Sequence, residues 1–143
     1  MNSATCDIDT IVLDNVKKLR LAKQNADTIM AYMMKIDRNT HTVVEDEYYA
    51  ETTLGELAEE LPIGSPRYLL LSYSYKHGDG RVSYPLVLVY YCPVSARPDD
   101  LMLYACKLNI FVKLAKLDKT FTLTDSESLT QEWLDQNVTK HAS

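Results

Sequence analysis

Turn-forming residues are sparse in this chain: four glycines and five prolines among 143 residues, none of them forming a linker. Without an internal repeat or a low-complexity tract, the expected organisation is one domain over residues 1–143. No run approaches the ~20 apolar residues that span a bilayer. The first thirty residues lack the basic start, apolar stretch and small-residue cleavage site of a secretory signal, so a soluble, intracellular protein without membrane insertion is expected. Cysteine is thin as well. Cys6, Cys92 and Cys106 fall in separate segments without a C-x-x-C pair, which argues against a disulfide framework or a cysteine-rich zinc site and for reduced thiols. Positive charge is in deficit: a net charge of -5 leaves little basic surface to displace counterions from phosphate, so nucleic acid is not an expected partner. Any basic function has to come from a local patch.

The residues that support catalysis are missing in the same way. His41, His77 and His141 fall on a turn, a loop and the tail, with no H-E-x-x-H or comparable ligand spacing, which leaves them as exposed histidines. Glu45, Asp46 and Glu47 lack the alternating ligands, glycine and terminal glutamate of a calcium loop, and read as a solvated strand end. The Gly78-Asp79-Gly80 segment lies between two strands, whereas phosphate loops run from a strand into a helix. It reads as a hairpin turn. A Cys/His hydrolase would require Cys106 and His77 to meet in space, and this is the enzyme alternative to a binding protein with no active site, no cofactor and no metal.

What is present is a core. At 46% hydrophobic, the chain has enough apolar residues to fold without disulfides or metal. Residues Ile8 to Ala22 place Ile8, Ile11, Val12, Val16 and Leu19 at helical spacing, with acids early and Lys17, Lys18, Arg20 and Lys23 late, as the helix dipole favours. Ile29 to Ile36 and Thr42 to Glu45 read as strands joined by the turn Asp37, Arg38, Asn39 and Thr40. Thr53 to Leu61 is a short helix stopped by Pro62. Tyr68 to Tyr75 and Val82 to Tyr91 have the composition of central strands covered on both faces. Pro98 with Asp99 and Asp100 opens a long helix to about Leu117. Thr120 to Thr124 is an edge strand, and Ser126 starts a last helix that turns Leu129, Trp133, Leu134 and Val138 inward. The expected class is α+β, a mixed sheet with helices on both faces.

Three features exceed a bland reading. On the long helix, Leu103, Tyr104, Ile110, Phe111 and Leu114 make one apolar stripe, and Leu101, Met102, Ala105, Leu108 and Val112 make a second, bordered by Asn109, Lys113 and Lys116. Since the helix has one sheet to cover, the second stripe is either enclosed by another element or offered to another protein. The basic end of the first helix is either a solvated face or the positive rim of such a strip. The loop Lys76, His77, Gly78, Asp79, Gly80 and Arg81 is either an ordinary turn or a contact carried on a rigid scaffold.

At this point the residues resemble a family. Pro66-Arg67-Tyr68 into Ser72-Tyr73, then His77 with Asp79-Gly80-Arg81-Val82-Ser83-Tyr84-Pro85-Leu86, is similar to the central hairpin of glia maturation factors. The likeness continues in Met102, Tyr104 and Ala105, in Leu129-Thr130 with Glu132-Trp133-Leu134, and in Cys6-Asp7 with Met34-Lys35-Ile36-Asp37. It covers almost the whole chain.

The resemblance implies an actin-depolymerising factor homology fold, a central mixed sheet of about five strands sandwiched between helices. It implies binding to the actin-related protein 2/3 complex, suppression of branch nucleation and debranching, by a monomer of the cytoplasmic actin cytoskeleton at the cell cortex and lamellipodia. The alternative is cofilin-like binding and severing of actin. By position, a first partner surface would comprise Lys17, Lys18, Arg20 and Lys23 with Leu101, Met102, Leu108, Asn109 and Val112. A second, toward the first actin of the daughter filament, would comprise Lys76, His77, Asp79 and Arg81 with Glu132 and Asp135. The chain departs from the family pattern at Lys107-Leu108, where a Ser-Lys pair is usual, at Ala22, which replaces a basic residue, and at Asp135-Gln136, where relatives are more basic.

Overall fold

The computed structural model describes residues 7–21, 28–117 and 119–142. Two central strands set the architecture. In β4 (Arg67–Ser72), Tyr68 and Leu70 point to one face and Leu69 and Leu71 to the other, all fully buried. β7 (Leu86–Tyr91) repeats the alternation, with Leu88 and Tyr90 against Val87, Val89 and Tyr91. A strand apolar at every position needs cover on both sides. One face carries α1 (Thr10–Leu21) and α3 (Pro98–Leu114); the other carries α2 (Leu54–Glu60) and α4 (Gln131–Ala142).

The sheet is completed by β1 (Asp7–Ile8), β2 (Ile29–Asp37), β3 (Thr42–Thr52) and β8 (Thr120–Leu123), in the order β1-β3-β2-β4-β7-β8. The inner pairs are antiparallel, and the outer pairs β1·β3 and β7·β8 are parallel, so the sheet is mixed as expected. The two-residue β1 makes it six-stranded where about five strands were expected.

Several boundaries differ from the sequence expectation, each for a local reason. The two long strands are each broken: β4 ends at Ser72, and a separate ribbon follows, β5 (Tyr75–Lys76) with β6 (Val82–Ser83), before β7 begins after Pro85. Proline has no N–H to continue a ladder. β3 runs on to Thr52, so Glu45, Asp46 and Glu47 are mid-strand. Glu45 accepts from Asn15 Nδ2 and the Tyr32 hydroxyl, each at 3.0 Å, and Asp46 pairs with Arg67 at 2.9 Å. The last helix starts at Gln131, because Thr130 Oγ1 accepts from the Trp133 N–H at 3.1 Å and caps it; Ser126–Ser128 is a short 3₁₀ turn. α1 starts at Thr10 because Ile8 belongs to β1. α3 ends at Leu114, and Lys116 follows with a φ of 58°.

Candidate functional site: an open helix ridge and a short ribbon

The stripe pattern of α3 resolves into three zones. Tyr104, Lys107 and Phe111 are buried against the sheet, with Phe111 stacked on Tyr68 at 5.3 Å between ring centres. Leu103, Leu108, Ile110 and Val112 are half-buried and pack on the edge of the same core, and Leu101 is half-buried too. The outermost line, Met102, Ala105, Cys106, Asn109 and Lys113, is open, Met102 at 73% exposure. Of the predicted second stripe, Met102 and Ala105 therefore stand free while Leu108 and Val112 lean on the core. Leu114, expected with the inner stripe, is 53% exposed at the last position of the helix.

The first turns of α3 are fixed by polar ties. The Tyr68 hydroxyl donates to the Tyr104 carbonyl, and the Ile36 N–H donates to the Tyr104 hydroxyl at 2.9 Å. Arg38, in the β2–β3 turn, meets Asp100 at 3.3 Å. Burial pushes the Tyr104 phenol above its ordinary range, partly opposed by the Ile36 N–H. The ridge thus rises from a helix that cannot roll without breaking buried bonds.

The basic end of α1 meets the other end of the same helix. Arg20 Nη2 donates to the Ala115 carbonyl at 2.7 Å and to the Lys116 carbonyl at 3.2 Å, taking up acceptors left over at the end of α3. Lys17 and Lys18 are exposed beside it, and Lys23 lies outside the described residues, as does Cys6. Thirteen residues at ~1.5 Å rise separate Met102 from Ala115, so the first predicted surface is spread over about 20 Å along one helix.

The ribbon part of the second predicted surface is bonded within itself. His77 Nε2 and Ser83 Oγ lie 2.9 Å apart, and the Asp79 carboxylate accepts from the Arg81 N–H at 3.1 Å and from its Nε at 2.7 Å. The Arg81 backbone N–H, then its guanidinium, holds the Asp79 carboxyl below the usual carboxylate range. Lys76 is exposed. The ribbon reaches α4 through the Tyr75 hydroxyl and Thr139 Oγ1, 2.7 Å apart. One turn earlier on α4, half-buried Asp135 accepts from Gln131 Nε2 at 3.0 Å, and Glu132 is exposed at the rim of a shallow depression. Burial first, and the Asp135 charge second, pushes the Tyr73 phenol upward beneath it.

Among the described residues, no group of three or more His, Cys, Asp or Glu side chains is placed to hold a metal ion, and no helix is long and apolar enough to cross a membrane. Cys106 sits on the open side of α3, while His77 is engaged with Ser83. Sequence reasoning missed the tyrosine ties and the Arg20 cap. Tyrosine in an apolar run marks a core position but not its hydroxyl's partner, and Arg20's acceptor lies 95 residues further along the chain.

Comparison with known proteins places the chain in a family. The profile of the cofilin/tropomyosin-type actin-binding proteins matches residues 5–139. Glia maturation factor beta of Mus musculus is 38% identical over 133 residues, 93% of this chain and 92% of the relative. The solution structure of glia maturation factor from Caenorhabditis elegans superposes with a TM-score of 0.77 at 36% identity, covering 95% of this chain and 98% of that one. The cofilin of Streptomyces griseoflavus, 17% identical, shares the fold with a TM-score of 0.75 over 97% of this chain and 98% of its own.

Proposed function

Since the chain belongs to the cofilin/tropomyosin-type actin-binding family, and within it to the glia maturation factors, we propose that it is an actin-regulatory protein that binds the actin-related protein 2/3 complex, inhibits branch nucleation and promotes debranching. The observation that carries the reading is the exposed ridge of α3: Met102, with Ala105 and Asn109 along the same side, stands clear of the core on a helix tied to the sheet. An apolar side chain on a rigid, convex element is suited to fill a cleft, because little conformational freedom is lost when it docks. The ridge enters the cleft of an actin-like subunit, with the basic end of α1 on that partner's acidic surface. The ribbon residues Lys76, His77, Asp79 and Arg81, with Glu132 and Asp135, face the first actin of the daughter filament. Such a protein works with the cytoskeleton.

Debranching in this reading makes and breaks no covalent bond. A protein that binds the separated arrangement better than the intact junction shifts that equilibrium by its difference in affinity. A preference of about 3 kcal/mol corresponds to more than a hundredfold. The test is a single-filament assay of branch lifetime with the complex present: added protein shortens it, and Met102→Asp restores most of it. Strong co-sedimentation with plain filaments and unchanged branch lifetimes would turn the reading toward a cofilin-like severing protein.

A further inference from the structure

We infer that Arg20 is a positioning residue, one that clamps the lysine-rich ends of α1 and α3 into a single basic corner for an acidic partner surface. This rests on the docking reading above and changes the part Arg20 plays in it.

Three observations converge on the corner. α1 closes with Lys17 and Lys18 exposed in its last two turns, and α3 closes with Lys113, which Lys116 follows two residues past the helix end, both exposed. Left to themselves, two lysine-bearing helix ends repel one another. Arg20 spans them, its guanidinium on the Ala115 and Lys116 carbonyls at 2.7 and 3.2 Å, where the negative end of the α3 dipole favours a cation. The stretch it holds is a special one: Lys116 has a φ of 58°, and the Leu117 N–H turns back to the Val112 carbonyl at 3.0 Å. A non-glycine residue in the left-handed region needs support from its surroundings. Two charge-assisted bonds from Arg20 Nη2 supply it, and the guanidinium carries its charge there at any pH the protein survives.

Because Arg20 spends its guanidinium on the chain itself, removing it unseats Lys113 and Lys116 together and does not merely delete one contact. Amide hydrogen exchange of the free protein reads the clamp directly. In Arg20→Gln, the Lys116 and Leu117 amides should exchange about tenfold faster, and Arg20→Lys should fall between Gln and the parent. Unchanged exchange overturns the clamp, whatever happens to binding.

A double-mutant cycle on affinity for the actin-related protein 2/3 complex reads the corner. In the parent, Lys113→Ala with Lys116→Ala should weaken binding about tenfold, and in Arg20→Gln the same pair should change it less than twofold. Strict additivity would make Arg20 an ordinary contact and overturn its positioning part. Faster exchange with no effect of the lysine pair in the parent would overturn the corner as a docking site and leave the clamp as a helix cap. No binding of the complex by the parent would instead remove the docking reading itself.

Discussion

Helix α3 and the β5–β6 ribbon, the two surfaces proposed above to meet a partner, are built on opposite plans. α3 is seventeen residues long, buried along one side, and joined to three strands and a turn by polar bonds. The ribbon has two paired residues on each side, and its charged groups are satisfied mainly within the ribbon: His77 by Ser83, Asp79 by Arg81. The helix keeps its shape through the core, so its outer line is free to be chosen for a partner. The ribbon keeps its shape through the groups that face outward, so any contact it makes competes with its own bonds. A rigid ridge suits a cleft of fixed form, and a self-satisfied loop suits a contact formed and lost as a junction opens.

The largest expected effect falls on the helix from within. Phe111→Ala removes a fully buried ring stacked on Tyr68 and should cost about 3–5 kcal/mol in denaturant unfolding, with partner binding lost alongside. Leu108→Asp sharpens the contrast, because this side chain leans on the core: a loss of about 3 kcal/mol is expected, visible as a lower melting temperature. Met102→Asp, on the open line, should weaken partner binding by about 2 kcal/mol in titration calorimetry and leave the melting temperature almost unchanged. A large stability loss there would erase the distinction between inner side and ridge. Tyr68→Phe keeps the packing and removes the donor to Tyr104, so about 1 kcal/mol of stability should go.

The smallest effect belongs to the ribbon. Asp79 is fully exposed and its carboxyl is held low, so the order it contributes is complete above the ordinary value of 3.8 and is lost as pH falls through the depressed folded value. In an NMR titration the Arg81 amide should follow that acid step, and in Asp79→Asn the step should vanish. A melting temperature that tracked it would mean the ribbon is coupled to the core more tightly than the Tyr75–Thr139 link implies.

The layout of the fold was open to reading because burial imposes periods on composition. Leu69, Leu70 and Leu71 in β4, and Val87, Leu88 and Val89 in β7, announce strands covered twice, and Pro98 with Asp99 and Asp100 announces a helix start. Periodicity also separated two apolar sides of α3, though it could not say that Leu108 would lean inward and Leu114 outward, since that depends on which neighbours the assembled fold sets against each. The ribbon was hidden inside long apolar runs, where Tyr73 and Tyr84 look as strand-like as their neighbours and only Pro85 signals a break. Glu45 and Asp46 read as a strand end because β3 cannot be followed through to Thr52 in the sequence, and their partners Asn15, Tyr32 and Arg67 come from other elements. The proposed partner surfaces were carried over from the family by likeness alone, whereas Arg20's tie to Ala115 is a fact of assembly that no local spacing encodes.

Where β4 stops pairing with β2, at Met34 opposite Tyr68, the next free main-chain donor on that edge is taken by a side chain, the Tyr104 hydroxyl. Tyr104 thereby indexes the helix to the sheet. Each position added along a helix rotates the residues beyond it by about 100°, so a single insertion between Tyr104 and Asn109 would swing the far half of the ridge by more than a quarter turn while Met102 stayed in place. Adding seven would bring it nearly back into phase. Within the helix, exchange of one side chain for another keeps the whole line facing the same way.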